Sequence, residues 1–539
     1  MTKQSFVRGA AILTLAGISV RIIGALFRII LAVLITDEGV GLYQMAYPVY
    51  STLLAISTAG IPIAISKLVA ENLAHDNYLG AYRVFQTAKR ILALSGLVIF
   101  ALMFWGAGYF VELFQLDSRA YLSLIGISPA IFFVSIMSAY RGFFQGQQQM
   151  LPTALSQVAE QLGRVAVATI LVVIFLPQGL EYAAAGACFG AAAGAFFGLS
   201  LLLLAWWRQK KAFLTNVQCQ SDSSSPAFWG TARRIFALAV PITLGSLVMP
   251  LINLVDLVFV PQRLQAAGLM KSEATALYGQ LTGMAAPLVH IPTIITVALA
   301  ISLVPAISEA LALGRKRLLQ SRAYLAVRVT LILGIPCAAG LYLLAEPICL
   351  LLFQNADAGS VLAVMSLGVI FLTLYQTTAA ILQGLGKTMD PVLTLFWGAL
   401  VKTALTWYLT ALPQLHIRGA ALATVVGFGI SAILNLYYVQ KYIGMPFYAE
   451  EAIFKPLTSA AVMGLGVLLL YRNTEARLLV TIPGWANHAA TLVSIAGGVV
   501  IYVLMLLLLG GIKRSDLLLI PKVGPVVVRI AERFHLLRG

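Results

Sequence analysis

The residues of this chain that could do chemistry are few, cationic and set in apolar surroundings. Arg21 and Arg28 stand seven residues apart in one such stretch. In a helix that spacing is two turns, so both guanidiniums fall on nearly the same face. Arg21 lies about thirteen residues inside the stretch, roughly 20 Å from either end at 1.5 Å per residue, beyond the reach of a snorkelling side chain. Arg28 sits about 10 Å from the nearer end and can partly snorkel. Ionisable groups at such depth are costly and point to function. Two planar forks along one wall suit phosphate oxygens and suit a cationic ligand poorly. The plainer alternative holds each guanidinium on a fixed acid or on backbone carbonyls, but no acid lies within one helical turn of either.

Glu160 and Arg164 are four residues apart and are expected to face each other as a structural pair inside the membrane. Lys402 has no acid three or four residues away, so its counter-charge must come from another helix; Asp256 is the nearest candidate in the same half of the chain. Asp256 has a second option, an interfacial pair with Arg263 across Pro261. The sharper reading turns Arg263 toward the arginines of the first half and leaves Lys402 and Asp256 as an ion- or proton-sensitive couple. His290, between Pro287 and Pro292, reads first as a hydrogen-bonding residue at a helix kink and second as a proton site. Gly386-Lys387-Thr388 imitates the end of a phosphate-binding loop, but Ile381 occupies the place of its first glycine and no strand precedes it. Cys188, Cys219, Cys337 and Cys349 include no CxxC pair, and no metal-ligand spacing or nucleophile–base pair appears. No enzyme, no cofactor and no metal is expected.

The elements that must position these groups are membrane helices. The chain has 539 residues, 60% of them hydrophobic and 10% charged, with a mean hydropathy of +0.92. That composition excludes soluble domains, and the length of the apolar runs excludes a barrel of ten-residue strands. The expectation is an all-α polytopic membrane protein of about fourteen transmembrane helices. Six fall at 9–35, 43–67, 91–114, 121–139, 152–176 and 182–206, and six more at 235–260, 280–304, 325–345, 361–383, 391–412 and 420–440. Two follow, at 456–471 and 488–511. The corresponding domains are a six-helix lobe 1–207, a cytoplasmic linker 208–234, a second lobe 235–441, two additional helices 442–512 and a basic tail 513–539. The first run lacks a cleavage site after a short apolar core and reads as a retained span. Of 36 Lys and Arg, 26 fall on the side carrying both termini, 6 on the other and 4 inside spans, which turns both termini to the cytoplasm. The net charge of +16 therefore speaks for orientation and attraction to anionic membrane lipids, and nucleic acid is excluded as a partner. The tail at 526–538 places Val527, Ile530, Phe534 and Leu537 opposite Arg529, Arg533 and Arg538, and is expected to lie on the inner membrane surface.

The halves also resemble each other. Gln145-Gly146 with Pro152 beyond it matches Gln383-Gly384 with Pro391, and Arg164 and Lys402 each follow those glycines by 18 residues. Leu42-Tyr43 pairs with Leu277-Tyr278, Ala64-Ile65-Ser66 with Ala306-Ile307-Ser308, and Gly186-Ala187 with Gly419-Ala420. Six spans being an even number, both copies enter from one side, a parallel repeat with a site expected between the lobes.

Several longer segments resemble one family together, though each is weak alone: SVRIIGALFRI from Ser19, LYQMAYPVYSTLLAISTAGIPIAISKLVAE from Leu42, YRGFFQGQQQMLP from Tyr140, ISLVPAISEA from Ile301, ILQGLGKTMDP from Ile381 and IRGAALAT from Ile417. With them the chain resembles the multidrug/oligosaccharidyl-lipid/polysaccharide flippase superfamily, in its stage V sporulation protein B and MurJ-like lipid II flippase branch. The resemblance implies two lobes in a V, a cavity lined by the first two helices of each, and two extra helices extending it as a lipid groove. It also implies alternating-access transfer of an undecaprenyl-pyrophosphate-linked sugar, with cell-wall synthesis proteins as the expected partners. Family cavity arginines match Arg21 and Arg28, spaced seven where many MurJ proteins have six, and Arg263. The second-helix arginine of many MurJ proteins has no match in Thr52 to Gly60, and Lys402 stands near the place of an acidic sodium ligand. Those departures favour the sporulation-protein-B-like branch. Competing readings are a flippase for another lipid-linked polysaccharide unit, a cation-coupled multidrug exporter with an acid-lined cavity, and a non-transporting scaffold.

Overall fold

The computed structural model describes residues 6–58, 60–218 and 228–511, and these form helices joined by short turns, with no strand among them. In hydrocarbon every backbone N–H and C=O must be bonded within the segment, so uninterrupted apolar runs of this length have no alternative to helix. The amphipathic stretch at 526–538, the rest of the basic tail, Cys219 and most of the polar stretch before Phe228 lie outside the described residues. Among those described, eleven helices are long and apolar enough to cross a membrane, or thirteen when each of two bent pairs is one span. The fourteen expected from the sequence differ from this at the first stretch, Ala11–Ala74. It counts once, yet its 64 residues would make about 96 Å of straight helix, some three times the hydrocarbon thickness.

Two compact units divide the chain, Met1–Gly283 and Met284–Gly539. The first holds α1 (Phe6–Thr58), α2 (Ile61–Ala74), α3 (Tyr78–Trp105), α4 (Ala107–Leu113), α5 (Ala120–Ile127), α6 (Pro129–Gly146), α7 (Met150–Phe175), α8 (Leu180–Gln218), α9 (Phe228–Ser246), α10 (Val248–Ala266) and α11 (Lys271–Gly279). Within α1 the backbone leaves helical geometry at Thr36, with φ 59° and ψ −176°, so two helices meet at a kink there. A β-branched residue at positive φ is strained, at about 1–3 kcal/mol, and must be held by its surroundings. The apolar run expected at 43–67 is interrupted where Gly60 adopts φ 75° just ahead of Pro62. The run at 121–139 is divided by Ser128 before Pro129, whose ring cannot continue a helix interior. Beyond the last apolar turn at Trp206, α8 continues as helix to Gln218, through residues read from the sequence as linker.

In this unit α7 and α8 pack closely over most of their length, along Gly186, Gly190, Gly194 and Gly198. A Cβ at Gly194 would overlap the Glu160 carbonyl and stand 2.9 Å from the Arg164 Cβ; one at Gly198 would stand 2.9 Å from the Met137 sulfur. Small residues at every fourth position are how helices in lipid, lacking a hydrophobic drive toward each other, gain close van der Waals contact.

The second unit holds α12 (Ala286–His290), α13 (Thr293–Ala312), α14 (Lys316–Leu343), α15 (Ala345–Phe353), α16 (Ala358–Ser366), α17 (Gly368–Gly384), α18 (Met389–Leu409), α19 (Ile417–Ile443), α20 (Lys455–Thr481) and α21 (Ala486–Leu508). The run expected at 280–304 is broken: a π-turn over Gln280–Ala285 leads into α12, and the chain bends at Ile291 and Pro292 before α13. Buried hydroxyls bond across helices, Thr330 to Thr377 at 2.7 Å and Tyr502 to the Ile332 carbonyl at 2.7 Å. The internal repeat has a packing counterpart in each unit. A Cβ on Gly146 would stand 2.7 Å from the Val69 Cβ and 2.8 Å from the Ser66 carbonyl, and one on Gly384 would stand 2.8 Å from the Ile307 Cβ and 2.9 Å from the Val304 carbonyl.

Candidate functional site

Arg21 and Arg28 are both exposed on the protein surface of α1, and neither has a hydrogen bond or ion pair to another described residue. Between them lies Gly24, where a Cβ would stand 3.2 Å from the Gln161 Nε2 of α7; further back, Gly9 meets Met150 in the same way at 2.9 Å. The two contacts advance together along both helices. The α7 residues at the depth of the arginine pair are therefore those around Glu160 and Arg164.

Those two residues bond as the i, i+4 spacing requires, Arg164 Nη2 donating to Glu160 Oε1 at 3.1 Å. The pair is not self-contained. Arg141 of α6 donates from Nη2 to the other carboxylate oxygen at 2.9 Å and from Nε to the Ser156 hydroxyl at 3.0 Å. Arg164 also reaches the Tyr47 hydroxyl at 3.3 Å, while its buried Nε has no hydrogen-bond partner. One carboxylate between two guanidiniums leaves a positive charge over. Arg141 escapes a sequence reading because it stands two residues beyond the fourth apolar run. The available signal is that Gln145-Gly146 ends the helix later still, which keeps Arg141 helical.

Lys402 occupies the corresponding position in α18, and the correspondence extends to its packing. A Cβ on Gly427 of α19 would stand 2.8 Å from the Lys402 Cβ, as one on Gly194 of α8 would stand 2.9 Å from that of Arg164. The place of Glu160 is taken by Gly398, where a Cβ would overlap the Ser431 hydroxyl and the Gly427 carbonyl. Asp256, Arg263, His290 and Lys402 all have contact partners in the fold and none is free. Arg263 lies in the last turn of α10, beside Gln262, whose amide donates to the Phe114 carbonyl at 3.3 Å. That is the level of the α4–α5 turn, not the level of Arg21. His290 ends α12, exposed, with its carbonyl accepting from Thr293 at 2.6 Å.

A second polar layer closes the end of the first unit at which α1 turns. Arg119 donates to both carboxylate oxygens of Asp117, at 3.2 and 2.8 Å, and to Glu38 at 2.7 Å. The Thr275 hydroxyl donates to Asp117 at 3.1 Å, Gln280 to Asp37 at 2.7 Å, and Gln44 to the Thr282 carbonyl at 2.8 Å. Burial alone would raise the Asp117 carboxyl, but hydrogen bonds from the Arg119 side chain and backbone, its charge and the Thr275 hydroxyl outweigh burial and hold the pKa below its ordinary value. Here α1 and α11 meet at the segments that the internal repeat relates. A Cβ on Gly279 would overlap the Asp37 carbonyl and stand 2.7 Å from the Gly41 nitrogen. These bonds support the strained turn at Thr36.

In the second unit, Arg328 is buried and donates to the Gly511 carbonyl at 2.7 Å, with Glu451 at 4.0 Å. It fastens the far end of α21 to α14. Among the described residues no group of three His, Cys, Asp or Glu side chains could hold a metal ion.

Residues 6–311, more than half of the chain, match the sequence profile of the family described as Polysaccharide biosynthesis protein. The chain belongs to that family. It is thereby a member of the multidrug/oligosaccharidyl-lipid/polysaccharide flippase superfamily, and residues 241–408 also match the MatE profile. Stage V sporulation protein B of Bacillus subtilis (strain 168) is 31% identical over 98% of this chain and the whole of that protein. Lipid II flippase MurJ of the same organism is 28% identical over 87% of this chain and 88% of its own length. Among solved structures, an inward closed conformation of lipid II flippase MurJ covers 92% of this chain and 97% of that one, with TM-score 0.67 at 15% identity. An inward-facing multidrug resistance MATE family transporter covers 80% and 98%, with TM-score 0.65 at 14% identity. At these identities the structures establish a shared fold. This member of the polysaccharide biosynthesis family is a multi-pass bacterial membrane protein.

Proposed function

We propose that this chain is a flippase carrying undecaprenyl-pyrophosphate-linked peptidoglycan precursor, lipid II, across the bacterial plasma membrane by alternating access, for cell-wall or spore-cortex synthesis. The observation that carries the proposal is the Arg21 and Arg28 pair. These are two deep guanidiniums on one face of α1 with no protein partner among the described residues, beside an Arg141–Glu160–Arg164 group that itself has positive charge to spare. A pyrophosphate headgroup can cross hydrocarbon only with counter-charge in a hydrated space, while its lipid tail stays outside in the bilayer. The same chain would have fourteen spans, α1 contributing two, with both termini in the cytoplasm. The likeness to stage V sporulation protein B and to lipid II flippase MurJ supports this cargo.

The MatE match favours a second reading, a cation-coupled exporter. Such a cavity needs acids facing its cargo, and α1 offers cations at mid-depth. The test is complementation in cells depleted of their own lipid II flippase. Arg21→Ala and Arg28→Ala, at normal protein level, are expected to abolish growth. Normal growth on both would overturn the assignment, and full complementation in cells lacking a different lipid-linked glycan flippase would redirect the cargo.

A further inference from the structure

At the end of the first unit where α1 begins, a pocket of about 540 Å³ opens between the first turns of α3 and the start of α9. Its polar lining is Arg83, Arg90, Gln86, Tyr82, Thr87 and Thr231, with Phe228 and Leu79 on its apolar side. Residues 91–105 complete α3 without a charge, so every α3 residue lining the pocket lies in the turns that precede hydrocarbon. This is headgroup depth, and Trp229, 80% exposed beside Phe228, marks the interface as indoles do.

The pocket is built, and is more than a basic patch. Gln86 donates to the Tyr82 hydroxyl at 2.7 Å. The Tyr82 ring stacks on Trp206 at 6.4 Å and 18°, against a buried cluster in which Phe85 stacks on Phe143 at 4.4 Å. The turn before α3 is fixed by Asn77, which accepts from the Gly80 nitrogen at 2.7 Å and donates to Asn72 at 3.0 Å. That turn sets the register of Arg83 one helical turn further on. A smaller adjoining cavity shares Arg83 and Thr231 and brings in Arg234, which also lies 3.7 Å from Glu71. Glu71 is shared in turn with Lys67 at 3.8 Å.

We propose that this pocket is a specific site for the phosphodiester headgroup of an anionic phospholipid. The Arg90 guanidinium would take the phosphate oxygens, with Arg83, which already has a partner in the fold, adding positive charge beside it; the Gln86 amide would meet the headgroup hydroxyls, with the acyl chains leaving past Phe228. Guanidinium forks match phosphate oxygens, and a volume of this size admits a headgroup that a surface charge run would only attract. A bound lipid ties α3 to α9, which the internal repeat assigns to different copies. The site therefore senses lipid composition at the point where the two copies are joined. The proposal needs the membrane-spanning fold and does not depend on the cargo, so a failed complementation leaves it standing and its own failure leaves the cargo reading standing.

The test uses the full chain in nanodiscs of phosphatidylcholine titrated with phosphatidylglycerol, then extracted and weighed intact to count retained lipids. Wild type is expected to keep one phosphatidylglycerol saturably in preference to phosphatidylcholine. Arg90 is exposed, so Arg90→Gln should fold, and it is expected to weaken that retention about tenfold, one charged hydrogen bond being worth roughly that. Arg90→Lys should fall between the two. Arg315→Gln removes the same charge from the second unit and should leave retention unchanged. Equal loss in Arg315→Gln, or equal retention of the two lipids by wild type, would overturn the proposal. Displacement of phosphatidylglycerol by micromolar inorganic pyrophosphate would overturn the lipid as the source of the phosphate.

Discussion

Replacing Glu160 by glutamine should destabilise the protein more than removing either of its arginines. Both carboxylate oxygens are in use, at 2.9 Å from Arg141 and 3.1 Å from Arg164, and the three side chains are only 17–19% exposed. Glu160→Gln keeps the shape but withdraws the charge from two guanidiniums at once. Stranding a buried charge costs about 3–5 kcal/mol. Arg164→Gln leaves the Arg141–Glu160 bond in place and should cost about 1.5–3 kcal/mol, the value of one charged hydrogen bond. In the double variant, part of the penalty disappears with the stranded group, so the two losses should fall short of additive by about 1–3 kcal/mol. Reversible unfolding of purified variants in mixed lipid–detergent micelles measures all four corners of the cycle. Strict additivity, or an Glu160→Gln variant as stable as Arg164→Gln, would refute the shared carboxylate. Complementation adds a second readout, because Glu160→Gln should fail through low protein level whereas Arg21→Ala should fail at a normal one.

Gly194→Ala must push α8 off the Glu160 carbonyl and is expected to cost about 1–3 kcal/mol by overpacking, with Gly427→Ala behaving alike against Lys402; unfolding midpoints check both. The Asp117 carboxyl titrates below its ordinary value, so its contribution is complete above about pH 4 and is lost as pH falls through the lower folded value. Amide-exchange protection around Ala120, whose nitrogen donates to the Asp117 carbonyl at 2.9 Å, should therefore hold from neutrality to about pH 5 and fade below about 4. Asp117→Asn should lose it at every pH. If Lys402 and Asp256 act as a couple, Lys402→Ala with Asp256→Asn should flip cargo better than Lys402→Ala alone, and purely additive losses would reject the coupling.

How far the sequence could be read follows from how local each interaction is. Hydropathy reveals helices because lipid permits little else, and the i, i+4 spacing alone brings Glu160 to Arg164. The breaks at Gly60, Pro129 and Pro292 are visible as residues, yet nothing local says whether a glycine or proline ends a span or merely bends it, and the turn at Thr36 has neither to announce it. Arg119 finds Glu38 81 residues away, and Asp117 finds Thr275 158 residues away. No spacing rule reaches such partners. Arg328 stands three residues inside an apolar run and reads as one more orienting charge, because its partner is the backbone carbonyl of Gly511 and carbonyls carry no sequence signature. Whether the cations of the two copies share one cavity is likewise a property of how separate elements meet.

The repeat itself argues for a division of labour between those cations. Arg164 and Lys402 stand at one place in two copies of one plan, each with a glycine of the next helix against its Cβ. In the first copy the position one turn earlier carries Glu160, so the counter-charge rides on the same helix and keeps its distance however the helices move. In the second copy that position is Gly398, where any side chain would collide with Ser431 and Gly427, and no acid stands within a turn of Lys402 on its own helix. Any acid that balances it has to come from another helix, so its distance from Lys402 would change whenever that helix moved. A charge compensated on its own helix is neutral to rigid-body motion, whereas one compensated from another helix gains or loses energy with it. If the lobes reorient, the repeat therefore assigns the two cations different parts: Arg164 would keep one balance of charge throughout, and Lys402 would be the cation whose energy changes with the conformation, which the Lys402 and Asp256 variants test.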